Sequence, residues 1–111
     1  MKLRPLIPSL REKKRYVAFE VQTEGKIDLD HAKKGIENSL KSFLGDLGVA
    51  RAGVLFLKDW KNNRGILKVN TKHVDEIKAS FALIQDIAHH KAIVRSVGVS
   101  GALEKIRSSY F

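Results

Sequence analysis

The sequence predicts an α+β fold, a ferredoxin-like (RRM-like) split β-α-β sandwich whose antiparallel four-stranded sheet carries two helices on one face, with a C-terminal helix added. Three observations predict it. Tyr16 to Val21 alternates, with Val17, Phe19 and Val21 on one face and Tyr16, Ala18 and Glu20 on the other, the period of a half-buried strand. Two segments, from Leu29 to Leu44 and from Val74 to Ala88, place apolar residues at helical spacing. Short apolar runs separate or follow them, and their length favours strands over helices.

In chain order, residues 1–9 read as an extended arm, because Pro5 and Pro8 bias their predecessors away from helix. Residues 1–15 form a basic N-terminal arm in this reading, and 16–111 a single α+β domain. Thr23 to Lys26 is a turn, and Asp28 or Asp30 caps the next helix, whose core face is Leu29, Ala32, Ile36, Leu40, Phe43 and Leu44. Gly45 and Gly48 stand where that helix is expected to stop. Ala52 to Leu57 reads as a strand covered on both faces, joined through the polar Asp59 to Gly65 to a strand of Gly65 to Val69, so that the two form a hairpin. Asn70 or Thr71 caps the second helix, whose buried stripe is Val74, Ile77, Phe81, Ile84 and Ala88. Ala92 to Val99 is the last strand, and Ala102 to Tyr110 the closing helix.

The net charge of +9 is unevenly spread. Met1 to Arg15 holds six lysines and arginines against Glu12, and Lys91 to Phe111 holds four against Glu104, whereas the middle of the chain is nearly balanced. In Leu10-Arg11-Glu12-Lys13-Lys14-Arg15-Tyr16 the cationic run passes directly into the first strand, which holds its charges in a fixed position relative to the sheet. Two basic segments around a balanced centre point to a polyanion.

Catalytic chemistry finds few candidates. The chain has no cysteine, which excludes thiol catalysis, disulfides and thiolate zinc sites. His31 and His73 fall in the first turns of different helices, His89 and His90 in a loop, and no pair has the i, i+4 spacing of a helical metal site. No dinucleotide fingerprint, phosphate loop or nucleophile elbow occurs. The acylphosphatase anion loop is not matched by Val21 to Lys26, which puts Glu24 where a phosphate would sit. The N-terminus lacks a signal-like apolar run and no stretch suits a membrane span, so a soluble, cytoplasmic protein is expected.

An RNA-recognition motif carries aromatics on its third strand for stacking bases. Here Arg64-Gly65 fits the opening, but Ile66, Lys68 and Thr71 occupy the aromatic positions, so RNA contact is expected through phosphates, sugars and shape. Gly98-Val99-Ser100-Gly101, at a strand end before a helix, offers N–H groups to an anion. Ser100 as a simple cap remains the alternative.

Leu10 to Phe19 and Val97-Gly98-Val99-Ser100-Gly101 together resemble the archaeal ribonuclease P protein component 2 family, which is shared with subunits of the eukaryotic nuclear ribonuclease P and MRP particles. Arg64-Gly65-Ile66-Leu67 followed by His73-Val74 resembles the family's third strand and second helix. The resemblance implies a protein that is not catalytic alone: the RNA, using Mg²⁺, hydrolyses the bond between 5′ leader and precursor tRNA, and the protein supports the catalytic domain of that RNA. It implies no cofactor bound by the protein itself. Implied partners are ribonuclease P RNA and protein component 3, with self-association in a heterotetramer and precursor tRNA as the substrate of the whole particle. The RNA-binding candidates are Arg11, Lys13, Lys14, Arg15, Arg64, Lys68, Ser100, Gly101, Lys105 and Arg107; none is assigned as catalytic or metal-binding. The alternative is a ferredoxin-like regulatory or ligand-binding dimerisation module. Strands apolar on both faces, Val54 to Leu57 and Ala92 to Val99, imply that a partner covers the far face of the sheet.

Overall fold

The computed structural model describes residues 13–111. The arm around Pro5 and Pro8, and Arg11 with it, lie outside the described residues. The central strand is β1 (Lys14–Thr23), two residues longer at its start than the alternation indicates, so that Lys14 and Arg15 belong to the sheet and not to the arm. It pairs antiparallel with β3 (Arg64–Asn70) on one side and with β5 (His90–Ser100) on the other. β2 (Leu55–Lys61) flanks β3 and the two-residue β4 (Asp86–Ile87) flanks β5, giving the order β2-β3-β1-β5-β4.

The sheet therefore has five strands where four were expected. The extra strand exists because α2 (Val74–Ala82) stops before Ile84 and Ala88, the last two positions of the expected stripe. Ile87 is buried and lies close against Gly35, and the chain reverses through Ala88 and His89, both at positive φ, to pair Ile87 with His90. Positive φ at both central positions is the geometry of the tight hairpin turn, here without the asparagine or glycine that usually announces it. The β2–β3 hairpin carries that signal openly: Asn62 and Asn63 both sit at positive φ.

α1 (Leu29–Ala52) starts at Asp28, whose carboxylate accepts the His31 N–H at 2.9 Å, so Asp28 and not Asp30 is the cap. Gly45 leaves helical geometry (φ 74°, ψ 171°), so the first helical segment stops there as its glycine suggested, and a second segment, joined to it at a kink, runs on to Gly53 in the left-handed conformation. Consequently β2 begins at Leu55 rather than Ala52. Asn70 does not cap the second helix; a 3₁₀ turn of Thr71–His73 intervenes, and the Asn70 amide donates instead to the carbonyl of Arg51 at 2.7 Å.

Two cores result, one on each face. Val17, Phe19 and Val21 meet Ala32, Ile36 and Leu40 of α1 and Ile77 and Phe81 of α2. On the far face Ala18 and Ile66 are covered by Ile106 of α3 (Leu103–Tyr110), with Tyr16, Leu57, Val97 and Tyr110 around them. Val97 reaches that face through a bulge: Ala18 pairs with Gly98 but Phe19 with Ser96. The strand expected to be covered on both faces leaves Leu55 55% exposed, and on β5 Ile93 is 61% exposed, so both positions are uncovered in the single chain.

Candidate nucleic-acid interface

The start of β1, the end of β3 and the end of β5 lie side by side, because Lys14 pairs with Asn70 and Tyr16 with Ser100. This brings the cationic run against the glycine-serine motif. The backbone of Lys13 is pinned, its carbonyl accepting both the N–H (2.8 Å) and the hydroxyl (3.0 Å) of Thr71, while the residue remains exposed. Lys14 is different. Its ammonium donates to the side chain of Asn70, itself only 3% exposed and tied to the C-terminal end of α1, so Lys14 holds β1 to the helix.

Arg15 extends its guanidinium over Gly101, where any Cβ would fall 2.5 Å from Nη1. Gly101 thus serves as room for an arginine. Ser100 does not cap α3, which has Ala102 before it with no side-chain cap; its hydroxyl accepts the Ala102 N–H at 3.0 Å and closes a local turn. The N–H of Ala102, next to the glycine-serine motif, is therefore already satisfied.

The remaining candidates lie on the far face. Lys68 is half-buried on β3 between Tyr16 and Leu55, and Lys105 is exposed on α3. Arg107 grips Asp59 through Nε at 2.9 Å and Nη2 at 3.1 Å, and that carboxylate raises the guanidinium's pKa. Arg64 donates through Nε to Glu20 at 2.9 Å. Glu20 also receives Arg95 (3.3 Å and 3.4 Å), and the hydrogen bond from Arg64, with Gln22 and Arg95 adding to it, holds the carboxyl below its ordinary pKa against the opposing effect of burial.

Sequence reasoning assigned Arg64 without Glu20, Arg95 or Lys61. The Asn62-Asn63 turn links Lys61 to Arg64, but no spacing in the chain links that pair to Glu20 and Arg95; only the register does, pairing Arg64 with Glu20 and Glu20 with Arg95. They form one row across four strands.

Phe43, expected on the core face of α1, is 45% exposed, but the aromatic rings of the sheet are spent on cohesion. Phe19 stands 6.0–6.2 Å, centroid to centroid, from Phe56, Trp60 and Phe81, and the indole of Trp60 donates to the carbonyl of Ile27. Tyr16, Tyr110 and Phe111 pack in the far-face core. Among the described residues the sheet thus presents cations and no row of free rings, the pattern of a surface that meets phosphates rather than bases. His31 bonds Asp28 at 2.6 Å and His73 bonds Glu76 at 2.8 Å, and among the described residues no three metal-ligating side chains gather. No described helix is long and apolar enough to cross a membrane.

Similarity to known proteins is extensive. The chain is 40% identical over 106 residues to Ribonuclease P protein component 2 of Thermococcus gammatolerans and 37% identical to that of Pyrococcus furiosus, each time covering 95% of this chain and 88% of the relative. The Methanococcus maripaludis protein of the same name is 32% identical over 108 residues, covering 97% of this chain and 82% of its own. A chain in the cryo-EM structure of yeast ribonuclease MRP shares the fold, with a TM-score of 0.66 at 16% identity over 84% of this chain and 77% of that one. Residues 15–111, from the arginine beside Gly101 through α3, match the family model, and the chain belongs to the Rpp14/Pop5 family.

Proposed function

We propose that this chain is a non-catalytic, RNA-binding subunit of ribonuclease P that supports the catalytic domain of the RNA subunit during removal of the 5′ leader from precursor tRNA. The observation that carries the reading is similarity along 95% of the chain to proteins named Ribonuclease P protein component 2. The cations at the start of β1 and on the far face support it, since positioned phosphate contacts set the register of a protein on a folded RNA without reading its sequence. In this reading the RNA is the catalyst and uses Mg²⁺, the location is cytoplasmic, and the scaffold is a ferredoxin-like sheet enlarged by one short strand.

Protein component 3 is the proposed protein partner, within a heterotetramer in which this chain meets a second copy of itself. The edge strand β2, paired only with β3, supports a partner, because an open strand edge is a template for a further chain, and the exposed Leu55 lies on it. Salt-dependent filter binding to ribonuclease P RNA tests the RNA role: affinity should fall steeply with salt, and weak binding that is flat with salt would leave the regulatory or ligand-binding dimer as the better account. Hydrogen exchange tests the partner. Adding component 3 should slow exchange on β2 or β5, and unchanged exchange on every strand would count against it.

A further inference from the structure

We propose that Arg64 and Arg95, held from either side by Glu20, form a phosphate-gripping fork on the far face of the sheet, with Lys61 extending it, and that the ligand is an RNA sugar-phosphate backbone. The proposal rests on the RNA-binding reading above and locates one of its contacts. The geometry is a row perpendicular to the strands, with each member directly opposite the next: Lys61 on β2, Arg64 on β3, Glu20 on β1, Arg95 on β5. Three strand spacings make it about 14 Å long. A nucleic-acid backbone places a charge about every 3.4 Å of axis in a duplex strand, so the row faces several phosphates at once.

A row kept for stability alone would balance its charges, because directly opposed like charges destabilise a sheet. This one sets three cations against one anion, and Lys61, whose ammonium donates to the Phe111 carbonyl at 3.2 Å, directly opposes Arg64. Glu20 is only 16% exposed at its side chain, whereas Arg95 is 58% exposed, so the carboxylate lies beneath and the guanidiniums above. Arg64 uses Nε on Glu20, which leaves its two terminal amino groups without a hydrogen-bond partner among the described residues. A guanidinium fixed at one side and open at the other is suited to bidentate capture of a phosphate. α3 covers Ala18 and Ile66 but leaves Ile93, opposite Gln22 and two residues from Arg95, in solvent, so the row is accessible from outside.

Glu20 is then a positioning residue, and its role has a sign that charge alone cannot give. Glu20→Gln removes one negative charge and so raises the net charge by one, and simple electrostatics expects tighter RNA binding. Loss of the fork instead frees two long side chains that must be ordered again on binding, which should weaken affinity about two- to tenfold. The experiment is filter binding of the full chain to ribonuclease P RNA over a series of salt concentrations, with thermal melts of each variant. Arg64→Ala and Arg95→Ala should each reduce the slope of log K against log salt by about one. Arg95→Lys should keep the slope and lose affinity, and it alters an exposed side chain that the fold does not need. Tighter binding by Glu20→Gln at an unchanged melting temperature overturns the positioning role. Wild-type slope and affinity in both alanine variants overturn the fork while leaving the RNA reading intact, whereas a parent chain that binds without salt dependence removes that reading first.

Discussion

Arg107 closes on Asp59 with two parallel hydrogen bonds, and this pair fastens α3 to β2 above the second core. Beneath it Ile106 sits on Ala18 and Ile66, and Tyr110 rests on Gly98, where a side chain would enter its ring. Asp59→Asn should therefore quicken amide exchange within α3 while leaving the main core's exchange unchanged. Ile106→Ala should do more, destabilising the protein by about 2 kcal/mol or more, since it empties a small cluster with few neighbours to refill it. Urea melts of the two variants separate the latch from the core it closes.

Lys13 and Lys14, adjacent in sequence, should part company in experiment. Lys13→Ala is expected to lower the salt slope of RNA binding by about one with a stability change under about 0.5 kcal/mol. Lys14→Ala should cost about 1 kcal/mol, because it removes a partner from the nearly buried Asn70 amide that ties β1 to α1. Both lysines are exposed, and what separates them is that the Lys14 ammonium is already engaged by Asn70. Melting curves and binding slopes for the two single variants are the measurements.

Gly101→Ala tests the space beneath Arg15. The added methyl must displace the guanidinium, the flexible end of a long side chain, so the melting temperature should hold while RNA affinity falls. Ser100→Ala, which removes a turn hydrogen bond and no charge, should show the opposite pattern, a lower melting temperature at an unchanged salt slope.

Acid should find Glu20. The Arg64 hydrogen bond holds its folded-state pKa below the ordinary 4.5, so its contribution to stability is fully present above that value and is lost as pH falls through the lowered one. Asp28, held below its ordinary 3.8 mainly by the His31 backbone N–H, adds to the loss at lower pH. Stability measured by urea melts should thus fall steadily from about pH 4.5 downward, and Glu20→Gln should make that fall shallower. An unchanged acid slope in the variant would show that the Glu20 carboxylate carries no such linkage.

What the sequence by itself determined were the features carried by local periodicity and charge. Alternation from Tyr16 to Val21 assigned each side chain of β1 to its correct face, the spacing of Ala32, Ile36 and Leu40 marked the buried side of α1, and paired asparagines marked the β2–β3 hairpin. The similarity carried by the two end motifs and Arg64-Gly65 proved to extend from Arg15 to Phe111. Tertiary structure decided what depends on residues far apart in the chain. Gly45 was legible as a helix stop, but that a second helical segment follows it and buries Ala52 was not. Ala88 had helical spacing, yet burial of Ile87 beside Gly35 turned the chain there into a fifth strand. Charge at Lys14 and Arg107 was plain in the sequence, but only packing showed that Asn70 and Asp59 already hold it. The row through Lys61, Arg64, Glu20 and Arg95 has no sequence signature, because strand register is set by which faces must be buried and which turns must close, and it brings together residues up to 75 positions apart.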